Sequence, residues 1–305
     1  MIRSIWGKIK EAITHPQGRE NMSRNGWNWK SVRTMGVAAE TIFFVFSFVC
    51  FSAGASFGQG TFNPNAKTAE EAIEQVVMAN RILANEGIFD YLGHVSARNP
   101  ENPRTFFISR ALAPEQVTKA DILEVDLEGK VLTKTARQPY SERIIHGAIY
   151  KVRPEVNSVI HAHPMPIVVL SVLDISLQMI AHPASTFYEG VPVYDEYDFA
   201  SPKSTGMLVQ TKEEGDRVAR KLGKSMAVLM RGHGYNVVGK SVPHTVQAAI
   251  NLRDNVVIQL AAMQYGKPKS LSYDEAKTAA AALAGPERAW NYWVARVKKS
   301  MPDMK

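Results

Sequence analysis

Only one cysteine, Cys50, occurs in the 305 residues. An intrachain disulfide and a multi-thiolate metal site are thereby excluded, so any bound metal must be held by His, Asp or Glu. A concentrated charge of one sign is lacking too. The formal net charge is +7, from 36 Lys and Arg against 29 Asp and Glu, which by itself would suit a nucleic-acid partner. Its distribution argues otherwise. Residues 1–40 hold seven basic and three acidic residues, which leaves residues 41–305 with +3 and no basic block. That larger part carries no electrostatic footprint for nucleic acid. With 45% hydrophobic and 21% charged residues, 20 Gly and 16 Pro, the composition excludes disorder, collagen and coiled coil.

Charge is absent altogether between Glu40 and Lys67. Within that gap, residues 42–51 form a dense apolar run, preceded by Lys30 and Arg33 and followed by Ala53-Gly54-Ala55. A basic flank, a short apolar core and an A-x-A site are the three parts of a secretory signal peptide. The run is shorter than the ~20 residues of a membrane-spanning helix. Residues 1–55 are therefore read as a leader directing export, cleaved near Ala55, and residues 56–67 as a linker. An uncleaved anchor, or a start at Met22 or Met35, are the alternatives.

The rest, residues 68–305, reads as one domain of roughly 240 residues, with no internal repeat and no second linker. Thr68, with Glu71 three positions on, announces a helix that Gly87 stops. Strands are expected at residues 106–108, 122–127 and 156–161. The pair 226–230 and 235–238 should form a hairpin around Arg231-Gly232-His233-Gly234, and Val131-Leu132 should fold back on the second strand. Helices are expected at 141–152, 166–173, 242–265 and 287–299. Strands and helices alternate, but hairpins recur too often for a parallel sheet. A mixed sheet layered by helices is the expected architecture.

Candidate chemistry begins with His161-Ala162-His163 at a strand end, where side chains at i and i+2 share a face. Alone, such a pair is more often structural than ligating. His233 between two glycines strengthens it: three His without Cys describe a metal site with an open coordination position. Glu142 at a helix start either complements the helix dipole or serves beside a cation as general base. His146, one turn later, reads as a satisfied helix histidine. Gly93-His94-Val95-Ser96-Ala97-Arg98 is expected to form a loop offering hydroxyl, imidazole and guanidinium donors to an anionic substrate. Ser109-Arg110-Ala111-Leu112-Ala113-Pro114 offers a second guanidinium.

The order G-H-V-S-A-R, S-E-R-x-x-H-x-x-I-Y, H-A-H-P, R-G-H-G resembles the class II aldolase/adducin family, from Thr68 to the C-terminus. That resemblance implies a three-layer α/β/α fold around a central mixed, largely antiparallel sheet, assembled as a homotetramer. It implies His161, His163 and His233 as metal ligands, Glu142 as acid/base residue and Ser141 as the helix-start serine. The divalent metal would be zinc first, with manganese, cobalt or iron also suited. Sugar-phosphate aldolases of the family usually carry Asn where His94 stands, and a small Ser/Thr-Gly loop where Ser109–Pro114 stands. Those departures, with the ending Arg288-Ala289-Trp290-Asn291-Tyr292-Trp293, resemble a decarboxylase branch acting on hydroxylated aromatic or ring-cleavage-product acids. On that reading Arg110 or Arg98 orients a carboxylate, Ser96, Ser109 and Ser141 complete the substrate site, and His94 donates to a developing oxyanion. Rival readings are a retro-aldolase, a non-catalytic adducin-like assembly module, and a non-haem iron oxygenase with Glu142 itself on the metal. The partner expected is a small carboxylic acid, with no nucleic acid. The leader has its own test. N-terminal sequencing of the fractionated protein should find a chain starting near Ser56 outside the cytoplasm, and a cytoplasmic product retaining Met1 would reject export.

Overall fold

The computed structural model describes residues 62–195, 206–283 and 285–301, and the expected leader lies outside them. Helix α1, Ala69–Asn85, starts where Thr68 accepts a hydrogen bond from the Glu71 amide. The Glu71 carboxylate reaches one residue further back than a capping box requires, to the Lys67 amide at 2.6 Å. Next come β1, His94–Arg98, β2, Thr105–Ser109, and β3, Ile122–Asp126. Helix α2, Arg143–Val152, has Glu142 as its N-cap, and β4, Ser158–Ala162, leads into a short α3, Met165–Ser171. Then follow β5, Val193–Tyr194, α4, Lys212–Leu222, β6, Ala227–Met230, and β7, Gly234–Gly239. The chain closes with α5, Val242–Met263, α6, Tyr273–Ala282, and α7, Glu287–Ser300. All these elements belong to one compact unit, Gln59–Lys305.

Seven strands form a single sheet in the order β3-β2-β1-β4-β7-β6-β5, antiparallel throughout except for the β5–β6 pair. The mixed, largely antiparallel sheet is as expected. Its two faces bury different cores. Val95, Ala97, Ile160, Ala162, Tyr235 and Val237 pack under α1, α3, α5 and α7, where Trp290, Trp293 and Val297 line one helix face. Phe106, Ile108, Val159, Val228 and Val238 pack under α2 and α4. Alternation along each strand sends neighbours to opposite faces, so helices must cover both.

One expectation is corrected here. The segment 93–98 is not a loop. It is strand β1, paired on both sides, with His94, Ser96 and Arg98 on the α2 face and Val95 and Ala97 on the other. The return after β3 folds back as expected, through a bridge from Val125 to Val131 and a hydrogen bond from the Leu132 amide to the Glu124 carbonyl. Helices α4 and α6 were not expected, although Thr211 with Glu214 and Ser272 with Glu275 are full capping boxes.

Helix α2 lies close against the strand edge because of Gly147. A Cβ there would come within 2.5 Å of the Leu127 carbonyl oxygen. The glycine forgoes about 1 kcal/mol of helix propensity to permit that approach.

Candidate metal centre

The register sets the site. His94 of β1 is directly opposite His161 of β4, which is directly opposite Asn236 of β7, so all three side chains stand on the α2 face. Glu142 comes down onto that face from the α2 N-terminus. The β6–β7 turn brings His233 in from the side. Gly232 makes this turn at φ +67°, and Gly234 lets β7 approach β4 so closely that a Cβ would meet the Ala162 carbonyl oxygen at 2.2 Å. The glycines around His233 thus serve the backbone turn and strand approach.

One ligand atom from each of Glu142, His161, His163 and His233 falls within 4.8 Å of the others. The His161 and His163 Nε2 atoms are 3.0 Å apart. Glu142 Oε2 lies 3.4 Å from His161 Nε2 and 3.7 Å from His233 Nε2. Two ligands at about 2.0–2.1 Å from a tetrahedral ion lie about 3.3 Å apart, so the spacing fits a divalent cation. The proton positions agree. His161 Nδ1 lies 3.0 Å from the Asn236 carboxamide oxygen, which can only accept, so the ring proton is on Nδ1 and the Nε2 lone pair faces the cluster. The Val209 amide donates to Glu142 Oε1 at 3.1 Å, leaving Oε2 for the centre.

The electrostatics keep the donors in the binding form. Burial is the largest influence lowering His163 and His233, the latter to about 4, with His161 adding to it and Glu142 opposing it. Burial would raise Glu142, but His161 and His233 outweigh it and hold the carboxyl at about 2. Near neutral pH the site therefore combines neutral His163 and His233 imidazoles with a carboxylate, a donor set for a divalent ion.

Residues 74–260 match the Class II Aldolase and Adducin N-terminal domain. The chain belongs to the class II aldolase and adducin family. Among its similar proteins, decarboxylase tropJ of Talaromyces stipitatus is 32% identical over 193 residues, covering 60% of this chain and 73% of that protein. The 3,4-dihydroxyphthalate decarboxylase of Arthrobacter keyseri is 30% identical over 196 residues, covering 59% and 74%. The solved L-fuculose 1-phosphate aldolase from Glaciozyma antarctica superposes with a TM-score of 0.66 at 25% identity, covering 79% of this chain and 96% of that one. Class II aldolases use a divalent metal, and the His/Glu cluster of this member can bind one.

The other expected site residues divide. His94 stands at the edge of the cluster, its ring 5.2 Å from that of His161. Ser141 is exposed beside Glu142, and Arg110 is partly exposed, with its Nε on Asp121 at 2.8 Å. Ser96 and Ser109 are both fully buried, with Ser96 bonded to His146 and Tyr150 behind His94. Arg98 does not serve the centre as expected. Arg98 lies at the far end of β1 from His94, with Nε, Nη1 and Nη2 all donating to the carbonyls of Val156, Pro103, Tyr150 and Arg153. A guanidinium so saturated has no fork left for a carboxylate. Asn236 was missed by sequence reasoning, though a carboxamide within the buried run Tyr235-Asn236-Val237-Val238 is itself a signal that something polar must meet it. Asp90 was missed too, and its Oδ1 lies 3.5 Å from His163 Nδ1.

Asn236→Ala should weaken divalent-metal affinity by about 10–100-fold with the fold intact, because His161 loses the partner that fixes its tautomer. Competition titration with a chelator measures this, and unchanged affinity would deny Asn236 that role.

Proposed function

We propose that this lyase removes carbon dioxide from a hydroxylated aromatic or dienoic carboxylic acid. The observation that carries the reading is the wall beside His94. Tyr140 packs its ring 4.4 Å from the His94 imidazole, donates its hydroxyl to the Leu112 carbonyl at 2.6 Å and accepts the Leu112 amide at 3.3 Å. The β1–β2 register ends with Ser96 opposite Ile108, and Arg110, two residues on, bridges Pro139, the neighbour of Tyr140. The pinned segment 109–114 thus offers a guanidinium and apolar bulk. Arg110 uses Nε on Asp121, and no described residue takes its Nη atoms. A planar carboxylate on a ring or diene suits that wall better than a solvated phosphate. The relatives named decarboxylases support the same choice.

In the reaction the carbon–carbon bond to the carboxylate breaks, its electron pair stays with the remaining carbon framework, and a proton replaces carbon dioxide. A divalent ion held by His161, His163 and His233 would supply positive charge to the neighbouring hydroxyl or enolate oxygen. Arg110 orients the acid. Glu142, a carboxylate at rest, first takes the substrate hydroxyl proton and then returns one to carbon. His94 donates to the oxygen on which charge develops. Zinc is the metal proposed, and the molecule is taken as a homotetramer exported through its leader.

A retro-aldolase is the second reading, supported by the aldolase of similar fold. An oxygenase would need Glu142 as a ligand, and Oε2 does lie among the ligand atoms. One pair of variants separates the three. With hydroxylated aromatic acids as substrates and carbon dioxide as the readout, Glu142→Gln should retain the metal and lose about 10²-fold or more in turnover. Arg110→Lys should lower kcat/KM about tenfold or more despite the unchanged charge. Loss of metal in Glu142→Gln would favour the oxygenase geometry. Efficient cleavage of a sugar phosphate, indifferent to Arg110→Lys, would put the aldolase first.

A further inference from the structure

Behind His94, away from the metal centre, lies a line of buried polar side chains that the mechanism above does not use. His94 Nδ1 is 2.9 Å from His146 Nε2, His146 Nδ1 is 2.6 Å from Ser96 Oγ, and Ser96 Oγ is 2.7 Å from the Tyr150 hydroxyl. Strand β1 supplies His94 and Ser96 at i and i+2, and α2 supplies His146 and Tyr150 at i and i+4. None of the four is more than 1% exposed. Burial lowers His146 to about 3 and raises the Tyr150 phenol, so both are neutral.

Neutral groups can fill these three contacts in three ways. In one, every donor points toward the metal centre: Tyr150 to Ser96, Ser96 to His146, His146 Nε2–H to His94 Nδ1. The His94 hydrogen is then on Nε2. The second is the full reverse, and it leaves the Tyr150 hydroxyl hydrogen needing a different acceptor. In the third, Ser96 accepts from both Tyr150 and His146 Nδ1–H, and its own hydroxyl hydrogen needs a different acceptor. The surroundings of the two hydroxyls decide among them. The Arg98 guanidinium, 4.6 Å over the Tyr150 ring, has only donors to offer. Among the described residues, Ser96 is the one hydrogen-bond partner of the Tyr150 hydroxyl, and Tyr150 and His146 are the two of Ser96, so either alternative orphans a buried hydroxyl hydrogen. An orphaned buried hydroxyl hydrogen is costly enough to bias the choice about tenfold or more.

We propose that Tyr150, Ser96 and His146 form a one-way hydrogen-bond chain that fixes His94 as a neutral imidazole with its hydrogen on Nε2, a donor at the edge of the metal centre. No described residue bonds to that Nε2, so it is available to a substrate oxygen. Arg98 secures the far end through the Tyr150 carbonyl and ring. The three are positioning residues acting through His94. The chain's purpose rests on the decarboxylase reading, but its direction does not.

Two experiments on the full chain loaded with zinc test this separately. Nitrogen-15 NMR of histidine-labelled protein, without substrate, should find both His94 and His146 protonated at Nε2 and bare at Nδ1. A His94 hydrogen on Nδ1 would overturn the proposal. A kinetic cycle then uses the acid that the wild type turns over. Ser96→Ala should lower kcat about tenfold with KM nearly unchanged, and should add no further loss in a His94→Ala background. Losses that simply multiply would mean that Ser96 does not act through His94. If no hydroxylated acid is decarboxylated, the substrate reading falls while the NMR result still decides the chain, as it does if Ser96→Ala fails to fold.

Discussion

The bond from His161 Nδ1 to the Asn236 carboxamide is the contact on which the site depends. It crosses from β4 to β7 in the middle of the sheet, where neither residue has any exposed surface. Because Asn236 can only accept through that oxygen, the imidazole has no choice of tautomer, and its remaining lone pair must face His163, His233 and Glu142. The rest of the architecture brings these partners to that lone pair. The β4 end supplies His163, a turn and a strand approach that both require glycine supply His233, and the α2 N-terminus supplies Glu142. A register slip of one residue on β4 would send His161 to the opposite face and dissolve the centre.

The α2 face of the sheet is unusually polar for an interior. Burying His94, Ser96, His146, Asn236 and Glu142 is costly unless each finds a partner. The sheet arranges them so that neighbours on β1, α2 and β7 satisfy one another, while apolar cores on both faces, the larger under α1, α3, α5 and α7, hold the sheet in place. Arg98 belongs to this economy: its donors quench the carbonyls where α2 ends, so its charge holds the scaffold behind the site.

Much of this was legible in the sequence for local reasons. The H-x-H spacing, the glycine-flanked histidine and the helix-start glutamate are short patterns with one physical meaning each, and their four side chains do converge. Segment 93–98 was misread as a loop because a strand buried on both faces can carry polar residues when a helix brings partners to them, which a one-dimensional pattern does not reveal. Asn236 and the reversal of Arg98 were hidden for the same reason. The partners that decide their roles, Tyr150 for Arg98 and His161 for Asn236, lie 52 and 75 residues away in the chain. Helix α4 was overlooked although its cap was complete, because its exposed face is highly charged.

The account stands or falls on a metal held by nitrogen. X-ray absorption at the metal edge of the purified, metal-loaded protein is the most direct test. Three imidazole nitrogens at about 2.0–2.1 Å with oxygen completing the shell, at about one ion per chain, is the expected spectrum. A protein that binds no divalent ion, or binds one through fewer than two imidazoles, would contradict it.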